Sequence, residues 1–165
     1  MHKVFIGLGG NIGDKQKNFT RVRPLISERL GKMLNESSIY ETPPWGFHSE
    51  FQFWNQVMYI ETKLEAEELL WHIKEIEAMF GRNVEQNSSY DNREMDIDIL
   101  YFDDIYFDSI DLVIPHPKIQ ERLFVLVPLV EIAPDFKHPL LRMSNLTLLE
   151  NCRDKSIIRK VKFDD

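Results

Sequence analysis

The sequence lacks the features that mark secreted and membrane-embedded proteins. It has one cysteine, Cys152, in 165 residues, so no disulfide can form within the chain, as is usual in a reducing compartment. The N-terminal stretch MHKVFIGLGGNIGD holds only a short apolar run before glycines interrupt it. Such a run is too short for the core of a signal peptide or for a membrane span. We therefore expect a soluble cytoplasmic protein.

Positive charge is also scarce. The chain carries 20 lysines and arginines against 27 aspartates and glutamates, a net charge of −7. This balance argues against a broad basic surface for nucleic acid, although a few clustered arginines or a metal ion would suffice for a small anionic substrate. With 43% hydrophobic residues and no low-complexity tract, we expect residues 1–165 to form a single domain.

The hydrophobic pattern predicts the element order β-α-β-β-α-β. The expected strands cover residues 3–8, 36–42, 54–62 and 94–102. The first helix, with Asp14 as N-cap, has apolar residues at helical spacing: Phe19, Val22, Ile26, Leu30 and Met33. The second has Leu69, Ile73, Ile76 and Phe80, and Gly81 is expected to end it. This order is typical of a ferredoxin-like α+β fold, an antiparallel sheet with both helices on one face.

The C-terminal part is expected to add smaller elements to that fold. The pattern of residues 103–114 predicts a short extra hairpin, and we expect short helices after Pro117. In these helices we expect Pro128 at the first position and Ser144 as an N-cap. The closing stretch IIRKVKFDD is compatible with either a strand or disorder.

The glycine-rich stretch GLGGNIGD lies between a predicted strand and a predicted helix, where phosphate-binding loops also occur. A dinucleotide fingerprint starting at Gly7 would need a glycine where Ile12 stands, and no GxxxxGK[ST] motif is present. We therefore expect Gly9, Gly10 and Gly13 to form turns or to allow close backbone approach.

The stretch REMDIDILYF places two carboxylates on one face of a predicted strand. Asp96 and Asp98 would lie roughly 7 Å apart and repel each other. The period of two predicts that Leu100 and Phe102 share their face, and that Tyr101 lies on the other. Arg93 or a divalent cation would compensate the repulsion, as in Mg²⁺ sites of phosphoryl transfer. A solvated edge strand remains an equal alternative at this point.

Two arginines, Arg82 and Arg93, bracket the polar segment 82–92. They suit a lid that delivers positive charge to a polyphosphate, but Arg82 would equally suit the C-terminus of the second helix. Further on, VIPHP holds His116 between two prolines, six residues before Arg122. Both side chains can donate to phosphate, although a lone histidine is more often structural. Zinc is not expected, because no second histidine or cysteine lies at ligand spacing.

Aromatic residues are concentrated in PPWGFHSEFQFWNQV, around the amide of Asn55. The aromatic residues of this stretch are Trp45, Phe47, Phe51, Phe53 and Trp54. Such a set suits a flat heterocycle, which stacks on rings and forms hydrogen bonds at its edge. Packing of the same rings against the sheet is an equally good interpretation of this stretch alone.

Taken together, these motifs resemble the 6-hydroxymethyl-7,8-dihydropterin pyrophosphokinase family of folate biosynthesis. The resemblance runs from GLGGNIGD through SSIYETPPWG, FWN and IEAMFGR to R-x-MDIDILYF and IPHP-x-IQERLFVLVPL. It implies the ferredoxin-like fold. It also implies transfer of pyrophosphate from MgATP to the hydroxymethyl group of the pterin, with release of AMP, ATP as co-substrate and two Mg²⁺ ions as cofactor.

The resemblance also implies a set of site residues. Asp96 and Asp98 would bind the Mg²⁺ ions and act in catalysis with Arg82 and Arg93. The implied pterin-binding residues are Thr42, Pro43, Pro44, Trp45, Phe53, Asn55 and Phe124. The implied nucleotide-binding residues are Glu77, Arg82, Arg93, Ile99, His116 and Arg122.

Two other functions use the same features. A metal-dependent nucleotidyl-transferase or phosphohydrolase would need the aspartates but not the aromatic residues around Asn55. A non-catalytic ferredoxin-like module for single-stranded RNA would expose aromatic side chains among basic ones, which the net charge of −7 disfavours. We therefore expect small-molecule partners, no nucleic acid or membrane partner, and a monomer, since no motif demands an oligomer.

Overall fold

A computed structural model of the chain describes residues 1–44, 51–81 and 92–162. The strands in these ranges are β1 (His2–Gly10), β2 (Lys32–Glu36), β3 (Tyr40–Thr42), β4 (Phe53–Thr62), β5 (Asp96–Phe102), β6 (Phe107–Asp108), β7 (Val113–Ile114) and β8 (Arg159–Lys160). The α-helices are α1 (Lys15–Arg29), α2 (Ala66–Met79), α3 (Leu123–Ile132) and α4 (Asn145–Glu150). None of these helices is long and apolar enough to cross a membrane.

The main sheet is antiparallel, with strand order β5-β1-β4-β3-β8, and β2 pairs with β4 next to β3. Strands β6 and β7 form a separate hairpin, as predicted for residues 103–114. The first and last strands of the β-α-β-β-α-β unit are neighbours in the sheet, which is the ferredoxin-like arrangement. The predicted fold class is therefore confirmed.

The sheet has an apolar core on each face. Helices α1 and α2 cover one face, where Val4, Ile6 and Leu8 of β1 pack against Ile26 of α1 and Ile73 of α2. On the opposite face, α3 and α4 pack over a second core, whose buried members are Phe5, Val57, Leu100, Tyr101, Ile119, Val125, Leu126, Leu129 and Leu148. The alternation of side chains along β1 thus divides its residues between two layers.

The predicted helix ends are confirmed where a side chain or a glycine defines them. The Asp14 carboxylate accepts a hydrogen bond from the backbone N–H of Lys17 at 3.1 Å and caps α1. Ser144 caps α4 in the same way through the N–H of Thr147. Helix α2 ends at Met79, and Gly81 follows with φ of +85°, a conformation that glycine adopts without steric cost.

The region after α1 differs from the prediction. Met33 does not extend the helix but lies on β2, because the chain turns at Gly31 so closely that a Cβ there would overlap the carbonyl oxygen of Glu61. The single strand expected over residues 36–42 is two strands. Between them the Ser37 hydroxyl accepts a hydrogen bond from the backbone N–H of Val57 at 2.9 Å. A side chain thus takes the place of a backbone carbonyl in the strand pairing, and the strand is interrupted there.

The position of Pro128 was also predicted wrongly. Helix α3 begins at Leu123, so Pro128 is an interior residue and not the first one. The early start is supported by a distant acceptor, since the N–H of Leu123 donates to the Asp154 carboxylate at 3.1 Å. A contact between residues 31 positions apart leaves no local signal in the sequence.

A β-bulge changes which side chains of β5 share a face. Phe5 pairs with Tyr101, but the next residue of β1, Ile6, pairs with Ile99, so β5 contains one extra residue at Leu100. Leu100 and Tyr101 both pack in the α3 layer, whereas Phe102 packs in the α1–α2 layer. The expectation that Phe102 lies on the face of Asp96 and Asp98 was therefore wrong.

Candidate active site

A pocket of about 640 Å³, partly open to solvent, lies on the α3 face of the sheet. Its floor is the end of β1, where Gly7 and Gly9 expose the backbone. A Cβ on Gly9 would lie 3.4 Å from the Oδ1 of Asn55, so a larger side chain would fill the space above the floor. Strands β3, β4 and β5 and the beginning of α3 form the walls.

The other glycines of GLGGNIGD have the structural roles that were predicted. A Cβ on Gly10 would overlap the carbonyl oxygen of Glu94, so this is a site of close backbone approach. Gly13 has φ of +75° and forms the turn into α1.

Nine of the predicted site residues line this single pocket. They are Thr42, Pro43, Phe53, Asn55, Arg93, Asp96, Asp98, Arg122 and Phe124. They come from four separate stretches of sequence, which the fold brings together. Pro44, Glu77, Ile99 and His116 are described but do not line it, and Trp45 and Arg82 lie outside the described residues.

The two aspartates lie side by side at the beginning of β5, on the pocket face. Arg93 Nη1 is 2.9 Å from Asp96 Oδ2, with side-chain exposures of 8% and 19%. Burial raises the pKa of Asp98 to about 7, and repulsion from Asp96 adds to this effect, while Arg122 and Arg93 oppose it.

A third carboxylate, Glu77, approaches the same strand from α2. It is 2% exposed, and its Oε2 accepts the backbone N–H of Ile97 at 2.9 Å. Burial raises its pKa to about 7, with repulsion from Asp96 as the second cause. Glu77 is therefore a third carboxyl group beside Asp96, on the helix side of β5, and its protonated form is favoured there. Its predicted role in nucleotide binding stays a prediction.

His116 lies beside Asp98, with Nε2 at 3.9 Å from Oδ2. Its Nδ1 accepts the backbone N–H of Lys118 at 3.1 Å, so the ring proton is assigned to Nε2, which faces the carboxylate. Burial, together with the charge of the nearby Arg122, lowers the pKa of His116 to about 4. The imidazole is therefore neutral at pH 7, and it offers an N–H donor without adding charge.

The other half of the pocket is mainly apolar, and the amide residues Asn55 and Gln56 line the pocket from β4. Phe53 and Phe124 line it from β4 and α3. The buried amide of Asn55 donates to the hydroxyl of Thr42 at 2.8 Å, which orients its oxygen. The Arg122 guanidinium lies 5.5 Å from the centre of the Phe124 ring, where the two halves meet.

The predicted aromatic cluster does not act as one unit. Phe53 faces the pocket, but the next residue, Trp54, packs on Phe19 of α1 at 5.9 Å between ring centroids, and Phe51 is 47% exposed. This division follows from strand alternation, because neighbouring residues of β4 point to opposite faces. The side chain of Ile99 is likewise buried in the α1–α2 core, away from the pocket.

Asn11 is a site residue that the sequence interpretation missed. It is 2% exposed, and its Oδ1 accepts the backbone N–H of Arg93 at 2.8 Å. Its Nδ2 donates to Asn92 Oδ1 at 2.7 Å and to the carbonyl of Phe51 at 3.4 Å. One side chain therefore fixes the backbone at Arg93. The signal was the asparagine within GGNIGD, which the search for phosphate-loop glycines passed over.

The described ranges contain no group of three or more histidine, cysteine, aspartate or glutamate side chains arranged for a metal ion. Among the described residues that line the pocket, Asp96 and Asp98 are the two carboxylates, and carboxylate oxygen is a ligand that Mg²⁺ prefers. Since Mg²⁺ is commonly held by one or two carboxylates with substrate phosphates and water, a pair of aspartates fits this ion.

Comparison with known proteins was made on sequence and on fold. Residues 5–134 match the family model described as 7,8-dihydro-6-hydroxymethylpterin-pyrophosphokinase (HPPK). A Porphyromonas gingivalis protein named 2-amino-4-hydroxy-6-hydroxymethyldihydropteridine pyrophosphokinase is 36% identical over 146 residues, 87% of this chain and 98% of that protein. A Bacillus subtilis protein of the same name is 39% identical over 130 residues, 78% of this chain and 77% of that protein.

Among solved structures, the fold is similar to a Plasmodium falciparum HPPK-DHPS wild-type structure, with a TM-score of 0.71 and 18% identity. The match covers 91% of this chain and 43% of that chain, so this chain spans less than half of the fused protein. At this identity the similarity supports the fold alone.

Proposed function

The chain belongs to the 7,8-dihydro-6-hydroxymethylpterin-pyrophosphokinase family, and on that premise we propose how its pocket carries out the reaction. The enzyme transfers pyrophosphate from ATP to the hydroxymethyl group of 6-hydroxymethyl-7,8-dihydropterin, releases AMP, and acts in folate biosynthesis. The observation that supports the assignment of residues is that one pocket joins an apolar half containing an amide to a half containing two carboxylates and two arginines.

The apolar half is the proposed pterin subsite. Phe53 and Phe124 offer ring faces for the flat heterocycle, and Asn55 offers its amide to the heterocycle edge. Because Asn55 donates to Thr42, its amide is already oriented before the substrate arrives. Pro43 completes this side of the pocket. Pro44 and Trp45 stay predicted pterin ligands.

The charged half is the proposed triphosphate subsite. Asp96 and Asp98 would hold two Mg²⁺ ions, since their oxygens suit a hard cation and burial with mutual repulsion raises the pKa of Asp98. When bound, Mg²⁺ supplies charge neutralisation on the triphosphate and polarises the attacking hydroxyl. Arg93 and Arg122 would contact the phosphate oxygens, and neutral His116 would donate through Nε2. Glu77, Ile99 and Arg82 stay predicted nucleotide ligands.

The chain's own residues contribute positioning and electrostatics. The aromatic walls hold the pterin with its hydroxymethyl group toward the phosphates and exclude water from between them. Phosphoryl transfer spreads negative charge over phosphate oxygens, so the arginines that face this charge stabilise the transition state. A phosphohydrolase would need only the charged half, and the apolar half with Asn55 therefore favours transfer to the pterin.

A direct assay tests the reaction. The protein is incubated with MgATP and 6-hydroxymethyl-7,8-dihydropterin, and AMP and pterin pyrophosphate are measured together. We expect the two products in equal amounts, and no AMP without the pterin. Asp108→Asn, a change on the exposed hairpin strand β6, is the control and should leave the rate unchanged. Formation of ADP, or ATP hydrolysis that is indifferent to the pterin, would contradict the proposal.

The organisation of the protein is part of the same proposal. We propose a single domain, because strands from both ends of the chain, β1 and β8, belong to one sheet. A monomeric state and a cytoplasmic location stay predictions from the sequence.

A further inference from the structure

The C-terminal segment 152–161 lies outside the region that matches the family model, which ends at residue 134. We call it the C-terminal strap. Residues 152, 154, 156 and 158 are half-buried, and residues 153, 155, 157 and 159 are exposed. This period of two shows an extended chain with one face against the protein. Its inward contacts involve two walls of the pocket.

The first contact is at the beginning of α3. Asp154 Oδ2 accepts the backbone N–H of Leu123 at 3.1 Å, and Asp154 Oδ1 accepts the N–H of Ser156 at 2.9 Å. Arg122 occupies the N-cap position of α3 without a capping hydrogen bond from its own side chain. Asp154 therefore supplies a cap that the local sequence does not. Leu123 lies between Arg122 and Phe124, the two α3 residues where the pocket halves meet.

The second contact is at β3. Lys160 pairs with Tyr40 and Arg159 with Glu41, and the N–H of Val161 donates to the carbonyl of Ile39 at 2.8 Å. Strand β3 ends at Thr42, which orients Asn55 and lines the pocket. The strap therefore extends the sheet at the short strand β3, which forms a second wall of the pocket.

We propose that the C-terminal strap positions the pterin subsite, with Asp154 as the positioning residue for the α3 wall and β8 as the support of the β3 wall. The four residues 155–158 connect the two contacts. The strap therefore links two walls of the pocket whose residues Thr42 and Arg122 are 80 positions apart in the sequence. This inference rests on the proposed function, because it assigns the pterin to the space between Phe53 and Phe124. Asp154 touches no reacting atom in this account and is not a catalytic residue.

The loss of either contact should weaken pterin binding more than it weakens ATP binding. Without the cap, the first turn of α3 spends part of its time in an unwound form that does not present Phe124 to the pterin. The apparent affinity for the pterin then falls by the fraction of molecules in the competent form. The groups proposed for ATP should be affected less, because Arg122 precedes the first turn of α3 and the carboxylates Asp96 and Asp98 belong to β5, which the strap does not contact in the described pairings.

The test compares Asp154→Ala with Asp154→Asn in steady-state kinetics. Asp154→Ala removes the acceptor for the Leu123 N–H and should raise the KM for the pterin about fivefold. The KM for ATP should change less than about twofold. Asp154→Asn keeps an oxygen acceptor, so its KM for the pterin should stay close to that of the wild type. Lys155→Ala, at the exposed neighbouring position, is the control and should behave as wild type.

The second arm removes one backbone donor from the β8 contact. Val161→Pro deletes the N–H that donates to Ile39, whereas Val161→Ala keeps that N–H and shortens only the side chain. We expect the pterin KM to rise for the proline variant beyond any change in the alanine variant. Circular dichroism and the melting temperature identify variants that do not fold, and kinetics are measured well below each melting temperature.

The inference would be overturned if the KM values for the pterin and for ATP changed equally. It would also be overturned if the melting temperature fell while the pterin KM stayed the same, because the strap would then be a purely structural element. Failure of the proposed function is distinguishable, since wild type would then lack pterin-dependent AMP formation. Direct titration of the pterin by its fluorescence, in the presence of a non-hydrolysable MgATP analogue, is the second readout. The same fivefold loss of affinity is expected there for Asp154→Ala, and unchanged binding would also overturn the inference.

Discussion

The guanidinium of Arg93 lies 2.9 Å from the carboxylate of Asp96, and the backbone N–H of the same arginine is held by Asn11 at 2.8 Å. Without substrates, Arg93 is thus a counter-ion of Asp96, while burial and the charge of Asp96 raise the pKa of Asp98 to about 7. Three carboxyl groups, those of Asp96, Asp98 and Glu77, thus lie around the two arginines Arg93 and Arg122. The arrival of a cation with the nucleotide would relieve this imbalance.

Replacing either aspartate should abolish most of the activity without loss of the fold. Asp96→Asn and Asp98→Asn keep the size of the side chain but remove a charged metal ligand. We expect kcat to fall at least about a hundredfold in each case. The melting temperature of Asp98→Asn without ligands should stay the same or rise, because this substitution removes like-charge repulsion, whereas that of Asp96→Asn should fall, because it also removes the counter-ion of the buried Arg93. Turnover that remains Mg²⁺-dependent and near wild type in both variants would contradict the ligand assignment.

Arg93→Ala should slow turnover more than it weakens ATP binding. The arginine faces charge that grows on the phosphate oxygens in the transition state, so its loss should lower kcat by about tenfold to a thousandfold. The dissociation constant of a non-hydrolysable ATP analogue should change much less. Arg23→Ala, which removes the exposed Arg23–Glu36 pair on α1 and β2, is the matched control. An unchanged kcat for Arg93→Ala would be incompatible with this role.

A non-hydrolysable MgATP analogue should raise the melting temperature, and the analogue without Mg²⁺ should raise it less. A ligand at a hundred times its dissociation constant stabilises the folded state by about 2.7 kcal/mol. For a chain of this length that corresponds to roughly 5–10 °C. Asp98→Asn should lose most of the Mg²⁺-dependent part of the shift. A melting temperature that is indifferent to the analogue would argue against a nucleotide site at these carboxylates.

The sequence predicted the order of the elements because that order depends on local patterns. The Asp14 cap, the apolar spacing in α1 and α2 and the glycine after α2 are all visible within a few residues. The predictions failed where a distant residue decides the outcome. The Ser37 hydroxyl divides a strand by bonding to Val57, and Asp154 starts α3 five residues before Pro128. The bulge at Leu100 depends on its pairing with β1, which no period-two pattern in β5 can reveal.

Part of the site was also predictable, because some of its residues stand out in the local sequence pattern. Asp96 and Asp98 stand out because aspartates are unusual at the start of a buried strand. Asn55 and Phe53 share a face through strand alternation. By contrast, Arg122 and Phe124 reach the pocket only through the packing of α3 on the sheet. The sequence indicated Arg122 as a possible phosphate donor near His116, and the role of Phe124 came from the family resemblance. The asparagine within GGNIGD does not show its partners in the sequence, since Asn11 bonds to groups far along the chain, the backbone of Arg93 and Phe51 and the side chain of Asn92.

A pH-dependent loss of stability should come from His138, which is 4% exposed and packs edge-on against Tyr101 at 5.6 Å between ring centroids. Its Nδ1 accepts the backbone N–H groups of Leu140 at 3.2 Å and Leu141 at 3.0 Å. Burial lowers its pKa below the ordinary value of 6.5. Between the lowered folded pKa and 6.5, the unfolded chain binds the proton and the folded chain does not. The stabilising contribution is therefore complete above about pH 6.5 and is lost as the pH falls toward the folded pKa.

His138→Asn isolates this contribution, because an amide oxygen can accept the same backbone N–H groups and does not titrate in this range. Melting temperatures of wild type and variant are compared from pH 8 to pH 5. Carboxylates elsewhere titrate equally in both proteins, so they cancel in the difference. We expect the difference in melting temperature between the two proteins to be constant above about pH 7. Below pH 6.5 the melting temperature of the wild type should fall progressively relative to that of the variant. A difference that stays constant down to pH 5 would mean that protonation of His138 does not oppose folding, and that the imidazole is more accessible to water than its surroundings in the fold indicate.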